Sequence, residues 1–277
     1  MRVGLNLLAW SGTIGKTELE LIPRIASLGY DGVEVPIFGP DAVDVAGVAR
    51  ACRESGIATT ASTSLPRGAS LLERAERERG VELVGQIIGM AADFGATILC
   101  GPVYAPVGAL PGRPRTLAEW DSCILALRRL GDVAQARGVV LALEPLNRFE
   151  THFLNTAGDA LLLLDEVDHP AVGLHLDTFH MNIEEKSLVE AVRKSARHLK
   201  HVHFSANDRG VVGSGHVDWD GVVEALREIG YDGWVVAETF AGSIPEIAAA
   251  TAIWRPIVPD TWAYARESLE FMRRVLA

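Results

Sequence analysis

Cysteine is scarce in this chain. Cys52, Cys100 and Cys123 are the only three in 277 residues, too few and too scattered for a disulfide framework or a thiolate metal knot. They read as small core residues in a reducing compartment. Long apolar runs are missing too. The most hydrophobic stretch, Val81 to Leu99, is interrupted by Glu82, Gln86, Gly89, Asp93 and Gly95, which excludes a bilayer-spanning helix. Met1 and Arg2 lead straight into a strand-like run with no signal-peptide pattern, so a cytoplasmic location is expected. Positive charge is the third deficit. Lys and Arg number 26 against 36 Asp and Glu, a formal charge of −10, which argues against nucleic acid and anionic membranes as partners. No Pro- or Ser-rich linker marks a second domain. No G-x-G-x-x-G follows the first strand pattern, where "LLAWSGTIG" stands instead, so a dinucleotide-binding fold is not indicated.

What is present is a globular composition, 48% hydrophobic and 22% charged, sufficient for a large core. Short runs rich in Val, Ile and Leu alternate with amphipathic ones along the whole chain. Strands are expected at Val3–Leu8, Gly32–Val35, Ile57–Ser62, Thr97–Cys100, Val139–Leu143, Val172–Leu176, His201–Phe204 and Val235–Ala237. Helices are expected at Leu19–Ser27, Asp41–Ser55, Leu71–Phe94, Leu117–Arg137, Thr156–Glu166, Glu184–Ala196, Asp218–Ile229 and Tyr264–Leu276. The segments "SLGYDGVEV", "ESGIATT", "DFGATIL", "ARGVVLAL" and "EIGYDGWVVAE" each set a glycine at a helix end before a strand, the punctuation of a parallel sheet. Eight such units in about 250 residues fit a closed (β/α)₈ TIM barrel, with residues 1–277 as one catalytic domain.

In such a barrel, chemistry lies at the carboxyl ends of the strands. There the sequence sets Glu144 after "VVLAL", Asp177 after "VGLHL", His203 within "HVHF" and Glu238 after "VVA". Taken singly, each acid is a common helix cap or solvated turn, and a lone histidine is a common interior residue. Four on consecutive strands are different, because three carboxylates buried together require a compensating cation. Three oxygens and one nitrogen suit Mn²⁺, Mg²⁺ or Co²⁺ better than a structural Zn²⁺ site. Glu150, His180 and Arg209 follow six, three and six residues after Glu144, Asp177 and His203, in loops from which each can reach a bound hydroxyl. Their plainer roles are a cap acid, a rim histidine and a solvated arginine. Trp10 is either a wall for a sugar or a rim-packing residue, and Glu34 either supports the site from behind or is a buried acid satisfied by backbone. Asp218 reads as a helix N-cap.

The segments "LALEPLNRFETHFLNT" (141–156), "LHLDTFHMNIEE" (174–185), "HVHFSANDRGVVGSGHVDW" (201–219) and "WVVAETF" (234–240) carry a family resemblance. The chain resembles the D-tagatose 3-epimerase and D-allulose (psicose) 3-epimerase group of the xylose-isomerase-like TIM-barrel sugar isomerases and epimerases. The likeness is densest over residues 139–240. It implies that Glu144, Asp177, His203 and Glu238 hold a divalent metal, commonly Mn²⁺ or Co²⁺. It implies that Glu150, His180 and Arg209 bind the O1–O2 end of a ketose, and that Glu144 and Glu238 double as the acid–base pair. It also implies a homodimer or homotetramer acting on small sugars.

Two departures from the group fall where the far end of a sugar would lie. The loop after the fourth strand, "GPVYAPVGALPGRPRT", has Tyr104 but no Trp and adds Arg113 and Arg115; Ala206 stands where a Glu is frequent. The expected activity is a metal-dependent ketose 3-epimerase. The alternatives are an epimerase of a keto-sugar glycoside or sugar phosphate, an aldose–ketose isomerase, or a hydroxypyruvate isomerase, with Arg113 and Arg115 as anchors for an anionic substituent. Phosphodiester hydrolysis is disfavoured by the negative charge, and a non-catalytic binding barrel by the intact ligand set.

Overall fold

The computed structural model describes residues 1–240, 242, 248, 249 and 251–277. Eight parallel strands close into a barrel in sequence order: β1 Arg2–Asn6, β2 Gly32–Pro36, β3 Ala58–Ser62, β4 Ile98–Gly101, β5 Val140–Leu143, β6 Val172–Asp177, β7 Leu199–Phe204 and β8 Trp234–Ala237. Closure is made by β1 and β8, with Arg2 opposite Trp234 and Leu5 opposite Ala237. The strands are buried on both faces because helices cover the outside and side chains fill the inside. The helices are α1 Leu21–Leu28, α2 Val45–Ser55, α3 Arg77–Asp93, α4 Leu117–Ala136, α5 Ala157–Val167, α6 Thr178–Glu184, α7 Leu188–Lys194 and α8 Trp219–Glu228, with a C-terminal helix at Thr261–Leu276. Gly29, Gly56, Gly95, Gly138 and Gly230 all take positive φ at the helix ends where the sequence set them.

The barrel interior is layered. Trp234, Ile98, Cys100, Ala142 and Val236 pack as an apolar floor. Gly32 leaves room for that floor, since a Cβ there would overlap the Trp234 ring. Above it the ladder brings Asn6, Glu34 and Thr60 level across β1, β2 and β3, and sets His175 beside His201 and Asp177 beside His203 across β6 and β7. Residues two apart on a strand face the same side, so both pairs point inward.

Local chemistry moves several boundaries. The first strand stops at Asn6, whose side-chain oxygen accepts the Leu8 N–H at 2.9 Å and turns Leu7–Ala9 into a short 3₁₀ segment. The third helix begins at Arg77 rather than Leu71: Leu71 and Leu72 are buried in the loop, and Ser70 Oγ accepts the Leu72 and Glu73 N–H groups at 3.1 and 3.4 Å. The expected helix at Glu184–Ala196 is two. Asp177 caps α6, Glu185 is extended, and Ser187 starts α7 by accepting the Glu190 N–H. His180 therefore sits on a short helix and not in a loop. Asp44 caps α2, Asp260 caps the C-terminal helix, and Asp218 caps α8 as read from the sequence.

Candidate active site

Above the interior layers, a cavity of about 290 Å³ opens at the carboxyl ends of the strands. Glu144, His203, Glu238, Glu150, His180 and Arg209 all line it. Asp177 lies directly behind, 1% exposed. Apolar walls come from Leu8, Phe38, Val107, Leu146 and Phe240. Trp10 is not among the lining residues; its ring packs on Trp262 with centroids 4.8 Å apart.

Each strand end delivers its side chain by a specific device. Glu144 donates its N–H to Gly101 O at 3.2 Å, and its carbonyl accepts the Tyr104 hydroxyl at 2.9 Å. Asp177 divides its carboxylate: Oδ1 caps α6 by accepting the Phe179 and His180 N–H groups at 2.6 and 3.3 Å, which leaves Oδ2 for the site. Oδ2 accepts from Ser205 Oγ and from Arg209 Nη1, each at 3.0 Å. Arg209 takes φ 65°, uncommon for a side-chain-bearing residue, and Thr239 pins its carbonyl at 2.7 Å. Its guanidinium lies between the Phe179 and Phe240 rings, 4.0 and 4.6 Å from their centroids, and donates to Glu238 Oε2 at 2.7 Å.

His203 Nε2 is 2.7 Å from Glu34 Oε1, while Nδ1 has no hydrogen-bond partner and points to Glu238 Oε1 at 3.2 Å and Asp177 Oδ2 at 3.7 Å. Ligand atoms of Glu144, Asp177 and His203 all lie within 4.8 Å of one another. A fully buried, unpartnered imidazole nitrogen among carboxylate oxygens fits a divalent cation. Charge in the cluster is unevenly held. Burial, then the neighbouring Glu238 and Asp177, push Glu144 well above the usual carboxylate range. Burial also opposes ionisation of Asp177, but Arg209 and the histidines outweigh it and hold the group low. Burial raises Glu150, which accepts from Asn147 Nδ2 at 2.7 Å.

His180 and Arg209 form a polar pair at the mouth. The Asn147 backbone N–H donates to His180 Nδ1 at 3.1 Å, so the ring proton belongs on Nε2. Nε2 faces Arg209 Nη2 at 3.1 Å. Both groups are donors, and an incoming oxygen would satisfy the two together. Burial and the adjacent guanidinium lower the His180 pKa to about 3, which keeps the ring neutral.

Arg113 and Arg115 do not serve the cavity. Arg113 forms a fork with Glu119 at 2.9 and 3.0 Å, and holds that carboxylate at about 2. Arg115 pairs with Asp159 at 2.8 Å and lies over the Trp120 ring. Their engagement within the fold removes the reason for expecting a phosphate or carboxylate on the substrate. Asn6, Asn147, His175, His201 and Ser205 join the site without a motif to mark them, and Cys100, expected as a small core residue, also contacts Glu34. The available signal was the two-residue spacing of His175 with Asp177 and of His201 with His203, which sets both pairs inside the barrel.

A closed eight-stranded barrel with acids and an imidazole converging at its carboxyl rim defines a TIM barrel with a candidate enzyme site. The chain belongs to the xylose isomerase-like TIM-barrel family, whose model matches residues 22–275. It is 34% identical over 278 aligned residues to a ketose 3-epimerase of Arthrobacter globiformis, covering 99% of this chain and 96% of that one. It is 32% identical to an L-ribulose 3-epimerase of Mesorhizobium japonicum, covering 98% and 93%. Among solved structures, a D-allulose 3-epimerase from Methylomonas sp. in complex with D-allulose superposes with a TM-score of 0.94 at 32% identity, covering 99% of this chain and 96% of that one. No helix among the described residues is long and apolar enough to cross a membrane.

Proposed function

We propose that this chain, as a single-domain catalyst, is a metal-dependent ketose 3-epimerase that interconverts C3 epimers of free ketoses such as fructose and allulose, tagatose and sorbose, or ribulose and xylulose. The observation that carries the reading is that Glu144, just after β5, and Glu238, just after β8, line one cavity, with Asp177 and His203 on the two strands between them. Inversion needs a base on one face of C3 and an acid on the other. Glu238 takes the C3 proton; the C–H electrons enter a C2–C3 double bond and charge moves onto the C2 oxygen. Glu144 then protonates the opposite face of the planar enediolate. In reverse the two acids exchange roles. His180 and Arg209 direct N–H groups at the O1–O2 end of the sugar, and Glu150 accepts a hydroxyl.

Glu144, Asp177, His203 and Glu238 hold the cation, with Mn²⁺ as the metal and Co²⁺ or Mg²⁺ as substitutes. When bound, it supplies Lewis acidity at the carbonyl and neighbouring hydroxyl. A homodimer or homotetramer in the cytoplasm completes the proposal; light scattering on the purified protein gives the assembly size.

The test is deuterium incorporation. Chelated protein restored with Mn²⁺ is incubated in D₂O with the six free ketoses named above and followed by NMR. Deuterium at C3 with the 3-epimer as product is expected, and Glu238→Gln should lower the rate by about 10²–10⁴-fold with an unchanged circular dichroism spectrum. Deuterium at C1 with an aldose product, or no exchange with any free ketose, overturns the assignment.

A further inference from the structure

Glu34 is fully buried on β2, beneath the cavity and absent from its lining. A carboxylate with no access to water must be compensated entirely by the protein. Here both oxygens are surrounded by donors. Oε1 accepts from Asn6 Nδ2 at 2.9 Å and faces His203 Nε2 at 2.7 Å. Oε2 accepts from Thr60 Oγ1 at 2.9 Å and from the Cys100 thiol at 3.5 Å, and lies 2.7 Å from His201 Nε2. These partners come from β1, β3, β4 and β7, so the carboxylate is tied around more than half of the barrel.

Its consequence falls on His203. An ionised carboxylate only accepts, so the ring nitrogen facing it carries the proton. With the proton on Nε2, the Nδ1 lone pair is bare, and Nδ1 is the unpartnered atom directed at Glu238 and Asp177. Asn6 extends the tie: the amide that donates to Glu34 also donates to Glu238 Oε1 at 3.1 Å. One buried acid thereby sets the orientation of two members of the metal cluster.

We propose that Glu34 is a positioning residue that locks His203 in the Nε2-protonated tautomer and, through Asn6, aims Glu238, so that the metal cluster is preformed before any cation arrives. The inference rests on the metal reading of the cluster. A carboxylate behind a ligating histidine contributes about 10–100-fold in metal affinity where such pairs are tested by mutation. Glu34 reaches no substrate and takes no part in proton transfer.

Two readouts taken without sugar test it. The first is the His203 tautomer in chelator-treated protein, from ¹⁵N chemical shifts of the imidazole followed to alkaline pH, where the ring loses its second proton. The wild type is expected as the Nε2–H form, and Glu34→Gln, whose amide presents a donor as well as an acceptor, as a mixture with Nδ1–H. The second is Mn²⁺ affinity by titration calorimetry, expected to fall about 10–100-fold in Glu34→Gln. Thr60→Val serves as the control: it removes one donor to Glu34, costs thermal stability and should leave Mn²⁺ affinity within about threefold. If Glu34→Gln does not fold, Glu34→Asp decides, since it keeps the charge and withdraws it by one methylene; weaker Mn²⁺ binding by a folded Glu34→Asp supports the role. An unchanged tautomer with unchanged Mn²⁺ affinity in a folded variant overturns it. Failure of the wild type to exchange deuterium into ketoses bears on the epimerase reading alone, because neither readout involves sugar.

Discussion

At the scale of single residues, the site works by giving each polar atom one task. Asp177 spends one oxygen on the α6 cap and keeps the other for the cluster. His180 spends Nδ1 on the Asn147 backbone and presents Nε2 to the cavity. Its neutrality has a measurable consequence. The folded pKa of about 3 lies below the ordinary histidine value, so between roughly pH 6.5 and 3 the unfolded chain binds a proton that the folded chain refuses. Stability contributed by the neutral ring is complete above the unfolded pKa and is lost as pH falls towards the folded one. Metal-free wild type should therefore lose stability through this window more steeply than His180→Gln, by about 1.4 kcal/mol per pH unit. Urea midpoints collected from pH 7 to pH 4 provide the comparison, and parallel curves for the two proteins would rule out a buried neutral His180. The candidate residues most legible in the sequence were those at the ends of apolar runs, because strand ends in a barrel converge by construction. Glu34 and its partners were harder to read, since Asn6, Thr60, Cys100 and His201 meet it only across the closed sheet.

At the scale of elements, precision depends on where strands stop. Gly101 closes β4 with φ 128°, and a Cβ there would overlap the Thr63 carbonyl oxygen. Its own carbonyl accepts the Glu144 N–H. Gly101→Ala should thus cost stability, about 1–3 kcal/mol from the strained backbone, and also depress epimerase turnover by displacing Glu144. Denaturant unfolding and C3 deuterium exchange on the same preparation check both effects; a stable, fully active variant would show that β4 can relax without moving Glu144. Four of the boundaries that differ from sequence expectation share one cause. Asn6, Ser70, Asp177 and Ser187 each bond a nearby backbone N–H, and this short-range competition ends or starts an element where hydrophobic periodicity alone would continue it.

At the scale of the whole molecule, the C-terminal helix fastens the seam between the first and last units. Tyr30 donates to Ala265 O at 2.7 Å, Arg273 bonds Gly29 O and Asp31 Oδ1 at 2.7 Å each, and Arg227 from α8 reaches the carbonyls of Val275 and Ala277. Tyr264, Ala265, Leu269 and Met272 are buried against the barrel. Removing residues 261–277 should leave an open, apolar seam beside β1 and abolish cooperative unfolding, which thermal circular dichroism would detect. A truncated chain with a sharp transition near that of the full protein would deny the helix this role. The amino-acid order by itself determined the barrel, because eight apolar runs between glycine-ended amphipathic helices admit a closed parallel sheet and little else. It also set Glu144, Asp177, His203 and Glu238 at strand ends, because each lies at the end of an apolar run or just after it. Only the tertiary structure decided how those residues are held. That Arg113 and Arg115 are engaged by Glu119 and Asp159, that Trp10 packs on Trp262, and that Glu34 stands behind His203 follow from closure of the sheet. Closure brings Glu34 and His203, 169 residues apart, and Asn6 and Glu238, 232 residues apart, into hydrogen-bond contact, and no local pattern in a chain encodes that proximity.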